Sequence, residues 1–168
     1  MDITAYFHLL DNNMQDTLQL VKGCTETQLH FKKEEQWSIM EVLEHISKSD
    51  TIVSSFLLKP FDATAEHEEL WGQKRLTRAI VDRIDQKVKA PESMQPKGEL
   101  KDIAAFEKLF LQQRNLLKQN IQSGIIVIDK RVRKHPLLGE MTISDWLYFI
   151  PLHAQRHLQQ IKNILAQK

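Results

Sequence analysis

Thr142-Ile143-Ser144-Asp145-Trp146-Leu147-Tyr148-Phe149-Ile150-Pro151-Leu152-His153-Ala154-Gln155-Arg156-His157 opens a segment that reads as one long helix. The helix should start at Thr142 or Ser144 and run to about Ala166. Trp146, Phe149, Ile150, Ile161 and Ile164 recur at helical spacing and form its apolar stripe. Pro151 lies inside the stripe, where it removes the hydrogen bond to the Leu147 carbonyl and should kink the helix. His153 and His157 fall on the same face, one turn apart.

Three more helices follow from the same pattern. The first spans Ile3 to Lys22, with Phe7, Leu10, Met14, Leu18 and Val21 as its stripe and Gly23 as its stop. The second begins at Ser38, where Ser38-Ile39-Met40-Glu41 spells a capping box. Its stripe is Ile39, Val42, Ile46, Val53 and Phe56, and Pro60 ends it. The third runs from about Leu100 to Ser123 on Ile103, Phe106, Leu109, Phe110, Leu116, Leu117 and Ile121. Residues 61–98 read as a long crossover carrying a helix between Glu66 and Lys89, with Leu70, Trp71, Leu76, Ile80 and Ile84 inward. Residues 125–141 read as an irregular connection, in which Ile125 to Ile128 can form a short extended piece. The expected fold is therefore all-α: one domain over 1–168, a four-helix bundle whose long 2–3 connection permits an up-down-down-up order.

Composition narrows the function. With 23 basic and 22 acidic residues, the net charge of +1 supplies no field for drawing in nucleic acid. Lys130-Arg131-Val132-Arg133-Lys134 is the one basic cluster, a solvated loop or an attractor for an anionic substrate. The longest aliphatic run, Ile125 to Ile128, is far short of the ~18 residues a membrane span needs. Met1 to His8 shows no signal-peptide pattern, and the single Cys24 permits no internal disulfide, so a cytoplasmic location is expected. Cys24, near a helix end, reads as an inert small residue.

The histidines carry the chemistry. Buried imidazoles need partners, because an unsatisfied buried polar group costs on the order of 1–3 kcal/mol. One divalent ion would satisfy His153 and His157 together, and His45, mid-way along the second helix at the edge of its stripe, is the best third ligand. Three imidazoles and an open position describe a catalytic zinc site, and nickel or ferrous iron also accept imidazole. On the residues alone, histidines hydrogen-bonded in a metal-free core are an equal reading for the pair, and the commoner reading for a lone mid-helix histidine such as His45. His153-Ala154-Gln155-Arg156-His157 lacks the glutamate of the zinc-protease motif, and no E-x-x-H pair suits a di-iron site. No general base stands out: Glu41 and Asp50 are candidates, read as facing solvent.

Trp37-Ser38-Ile39-Met40-Glu41-Val42-Leu43-Glu44-His45 resembles the W-x7-H segment of the DinB-like, or YfiT-like, superfamily of metal-dependent hydrolases. His153 to Ile161 resembles that family's closing H-x3-H-x2-Q segment, and His135-Pro136-Leu137-Leu138-Gly139 a loop of one branch. Residues 61–98 match no motif. The resemblance implies an up-down-down-up bundle, usually a homodimer, with zinc or nickel on His45, His153 and His157. It places Gln160 either orienting a ligand or water or capping a polar edge of the helix. It further implies a small-molecule substrate and either hydrolysis or S-transfer from a low-molecular-weight thiol such as bacillithiol, neither nucleic acid nor membrane being a partner. A non-enzymatic metal-binding or dimerisation module is the competing reading.

Overall fold

Three capping boxes set where helices begin. A computed structural model describes residues 1–61, 63–83 and 89–167. In it Thr25, Ser38 and Thr142 each accept a backbone N–H of the following turn, while Gln28, Glu41 and Asp145 reach back to the cap backbone. The helices are α1 (Ile3–Lys22), α2 (Glu26–His30), α3 (Ile39–Leu57), α4 (Gly72–Ile80), α5 (Ile103–Gln122) and α6 (Ile143–Ala166). The strands are β1 (Ala63–Thr64), β2 (Arg131–His135) and β3 (Gly139–Thr142), and Glu92–Met94 forms a 3-10 turn. The described chain is mostly helical, and α6 continues through Pro151.

Several sequence expectations change. The connection 125–141 is irregular only in part: from Arg131 on, β2 and β3 form an antiparallel hairpin, with Val132 opposite Thr142 and His135 opposite Gly139, and β1 adds to its edge. Ile125 to Ile128 is not extended structure, and Ile126 alone of the four is buried there. The crossover helix is shorter than expected, Gly72–Ile80, because Trp71 and Leu70 are held at its entrance by Asp145. The expected inward position Ile84 lies outside the described residues. Helix α5 begins at Ile103 rather than Leu100 because Asp102 caps it, and Leu109 and Leu116 face outward. The short helix α2 was not anticipated.

Helix α1 occupies the expected residues but is turned from the expected stripe. Its buried residues are Tyr6, Leu10, Asn13, Thr17 and Val21, while Phe7, Met14 and Leu18 sit at the margins of the core. The reason lies in the core itself, which divides into two apolar clusters. Tyr6, Leu10, Val53, Leu57, Leu117 and Trp146 belong to one; Val21, Ile39, Leu43, Ile46, Phe110 and Ile161 belong to the other. Buried polar residues fall between the two sets on α1 (Asn13 and Thr17), α3 (Ser47, Ser49 and Asp50) and α5 (Arg114), while α3 also buries Glu44 and His45 within the span of the second set. On α6 His153 lies between the two sets, and His157 lies one turn further on, past Ala154 of the second set. Each long helix thus contributes polar groups to the middle of the core.

Candidate metal centre

Two helices build the site. His45 projects from α3, seven residues past the Ser38 cap, and His153 and His157 project from α6. His45 and His157 are buried, and His153 is partly exposed. Nε2 of His153 lies 3.3 Å from Nε2 of His45 and 3.2 Å from Nε2 of His157. Tetrahedral zinc, with Zn–N of about 2.0–2.1 Å, spaces its ligand nitrogens roughly 3.3 Å apart. The three side chains can hold one metal ion, and no carboxylate or thiol joins the group among the described residues.

The opposite ring nitrogens decide the protonation. His45 Nδ1 donates to the Met94 carbonyl at 2.8 Å, an atom that can only accept. His157 Nδ1 donates to Gln160 Oε1 at 2.8 Å. With protons fixed there, both neutral rings present bare Nε2 lone pairs to the shared point. His153 has at most one Nε2 proton, which cannot serve two acceptors well, and its buried Nδ1 has no partner among the described residues. A cation would use all three lone pairs at once, so the donor set fits a divalent metal.

Electrostatics agree. Burial pushes the His157 imidazolium down to about 3, with His45 adding to the effect. Burial likewise carries His153 well below its ordinary value, helped by His157 and His45. His45 is lowered by burial, against the opposing Met94 bond. All three are neutral at physiological pH, the form that ligates. Aromatic rings wall the group: Trp37 lies 4.9 Å from His45, and Phe149 stacks on His153 at 5.1 Å and 21°.

The profile of the DinB superfamily matches residues 9–161. This chain belongs to the DinB superfamily. It is also similar to YuaE, an uncharacterized protein of Bacillus subtilis (strain 168), with 28% identity over 154 residues, covering 89% of this chain and 90% of the relative. The W-x7-H and H-x3-H segments therefore come from distant parts of a DinB chain and meet at one point.

The other candidate residues of this DinB chain have different fates. Asp50 does not face solvent: it is 2% exposed and accepts from Arg114 Nε at 2.8 Å. Burial raises its carboxyl to about 6 against the pull of Arg114. Glu41 caps α3 at Ser38 and pairs with Lys32 at 2.7 Å. Neither is free to act as a base. All of the basic cluster but Lys130 lies on β2 rather than in a loop, and there Arg131 pairs with Asp129 and Arg133 sits over Phe56 and Phe61. Cys24 Sγ donates to the Leu20 carbonyl.

Sequence reading missed two buried carboxylates. Glu44 accepts four backbone N–H groups from Lys97 to Leu100, and Asp145 accepts those of Leu70, Trp71 and Gly72. Burial raises the Glu44 carboxyl, but Lys48 and those amides outweigh it and hold it below its ordinary value. A signal for Asp145 existed, since it occupies the reach-back position of a capping box. Glu44 carried only its i,i+4 pair with Lys48, because the amides it accepts lie more than fifty residues away.

Proposed function

We propose that this chain is a metal-dependent enzyme holding one zinc or nickel ion on His45, His153 and His157, and acting as a hydrolase or a thiol S-transferase of the bacillithiol-using kind. What carries the reading is the meeting of three Nε2 atoms, two of which have their rings' protons pinned elsewhere. Three protein ligands leave an open position, as in catalytic rather than structural zinc sites. When bound, the ion supplies Lewis acidity that lowers the pKa of a water or thiol at that position.

The chain's own groups do the rest. Met94 and Gln160 orient His45 and His157, burial keeps the imidazoles neutral, and Trp37 and Phe149 limit water on two sides. The absence of any carboxylate in the group, among the described residues, favours S-transfer over hydrolysis. A thiolate needs no general base to attack, whereas water at neutral pH profits from one.

The same proposal includes one domain over 1–168 in an up-down-down-up bundle. Supporting the order, Lys22 pairs with Glu107 while Asp11 pairs with Lys118, so α1 and α5 run in opposite senses. His45 reaches His157 while Phe56 reaches Trp146, so α3 and α6 do too. No described helix is long and apolar enough to cross a membrane. We place the protein in the cytoplasm as a homodimer acting on a small molecule.

Elemental analysis and zinc and nickel titration test the metal. The wild type should take up one equivalent, and His153→Ala and His157→Ala none, at unchanged helical circular dichroism. Equal metal content in all three would overturn the site. Turnover of activated esters and of electrophiles, each with and without a small thiol, then separates the chemistries. Activity indifferent to thiol removes S-transfer.

A further inference from the structure

The residue before His45 is tied to the same loop that holds the His45 ring. Glu44 is 4% exposed. Its Oε1 accepts from the Lys97 amide at 2.7 Å, and its Oε2 from those of Gly98 and Glu99 at 3.0 Å each and Leu100 at 3.4 Å. Wrapping four amides around one carboxylate needs a left-handed residue, and Gly98 supplies it at φ +74°. Lys48, one turn along α3, donates to the Gln95 carbonyl at 3.1 Å and pairs with Glu44 at 2.7 Å and Glu99 at 3.3 Å. The strap 94–100 is thereby fixed to α3 at both of its ends. Its first carbonyl, Met94 O, is the atom 2.8 Å from His45 Nδ1.

We infer that Glu44 is the positioning residue of His45: by fixing the strap it presents the Met94 carbonyl, which keeps the proton on Nδ1 and aims Nε2 at His153 and His157. The inference rests on the metal reading above for its consequence, though not for the geometry. A side-chain amide at position 44 would turn N–H donors toward the strap's own N–H groups. The strap would lift, the ring would lose its acceptor, and the tautomer with Nε2 protonated would compete. Losing such an orienting partner typically lowers metal affinity 10–100-fold.

Asp145 provides the control. It clamps the other end of the crossover through the amides of Leu70, Trp71 and Gly72, with no link to a histidine. The experiment compares the wild type, Glu44→Gln, Gly98→Ala and Asp145→Asn. Gly98→Ala leaves the carboxylate intact and perturbs the strap through its positive φ alone, since a Cβ there meets nothing within 4 Å. The readouts are zinc affinity by competition with a chelator, and the Nδ1/Nε2 protonation of His45 by 15N NMR on the metal-free protein.

Glu44→Gln should bind one zinc 10–100-fold more weakly and show mixed His45 tautomers. Gly98→Ala should move both readouts the same way by a smaller factor, and Asp145→Asn should match the wild type. Wild-type affinity and tautomer in Glu44→Gln would overturn the inference, as would equal weakening in Asp145→Asn. If Glu44→Gln does not fold, Gly98→Ala decides by the same readouts, and no change there overturns it. A wild type that binds no zinc, yet loses its His45 tautomer in Glu44→Gln, would sink the metal reading and uphold the positioning role.

Discussion

Replacing Arg114 by methionine should produce a stability loss that depends on pH in a calculable way. Asp50 and Arg114 join α3 to α5 in the polar middle of the core, five residues along α3 from His45. Both are essentially buried, at 2% and 1% exposure. In the wild type burial holds the Asp50 carboxyl at about 6, against about 3.9 for an unfolded aspartate. A raised folded pKa means that this group's contribution is fully present below pH 4 and declines as pH rises through 6. Above 6 the wild-type carboxylate is ionised against Arg114, and the decline stops. In Arg114→Met the cation is gone, and burial alone should move the carboxyl roughly 3–5 units above its unfolded value. The native variant then stays protonated to about pH 7–9, and its decline continues.

The difference between the two proteins is the useful quantity, since every other titration cancels. It should be flat below pH 6 and then widen by about 1.4 kcal/mol per pH unit, reaching about 2 kcal/mol at pH 7.5. Methionine keeps an unbranched, polarizable chain over the Phe110 ring, where the guanidinium carbon now lies 4.7 Å from the centroid, so the packing change is small. Two Arg114 nitrogens are buried without partners among the described residues, so the intact pair is far from optimally satisfied. Asp50→Leu/Arg114→Met should therefore recover most of the loss and flatten the pH profile. Urea unfolding from pH 5 to 8 measures it. A gap between wild type and Arg114→Met that is constant across that range would refute the buried-carboxylate reasoning.

Two further outcomes concern the elements around the site. His135 accepts the Leu137 and Leu138 amides on Nδ1 and packs on Trp146 and Phe149, and burial lowers its pKa to about 4. Its neutral form is the folded form, so stability should fall as pH drops from about 6.5 toward 4. His135→Asn, which keeps an acceptor but no titrating ring, should make that slope shallower in acid unfolding, with His45, His153 and His157 supplying the rest; an unchanged slope would count against it. Asp145→Ala should cost about 3 kcal/mol by leaving clamp and cap amides without an acceptor. Limited proteolysis should then cut first between residues 61 and 72, and resistance equal to wild type would argue that the crossover is held otherwise.

What was legible in the chain was local. The bounds of α1, the Ser38 cap and the extent of α6 follow from signals within one or two helical turns. The pair His153 and His157 was readable for the same reason: four residues on a helix fix a shared face whatever the rest of the fold does. His45 was readable through its place beside a core stripe. The hairpin was not, because only Val132 on β2 is fully inward and no alternation develops over five residues. The crossover was not, because its docking depends on Glu44 and Asp145 reaching amides 53 to 56 and 73 to 75 positions away.

The misplaced stripe of α1 shows why hydrophobic periodicity fails near such a site. Phe7, Met14 and Leu18 are the stronger apolar markers, yet Asn13 and Thr17 are the buried residues. A stripe search assumes that the inward face is apolar along its whole length. Here the inward face of every long helix carries polar groups at or near the boundary between the two apolar clusters. Thr17 satisfies its hydroxyl on the Asn13 carbonyl at 2.7 Å, Asp50 on Arg114, and two of the three histidines on Met94 and Gln160. Polar groups gathered in the core are costly where a partner is missing, as it is for Asn13 Oδ1, Ser47 Oγ and two Arg114 nitrogens among the described residues. The inward Nε2 atoms of the histidines find only one another, 3.2 and 3.3 Å apart. Three ring nitrogens with at most one proton between them leave lone pairs facing one another, and a divalent cation could use all three at once.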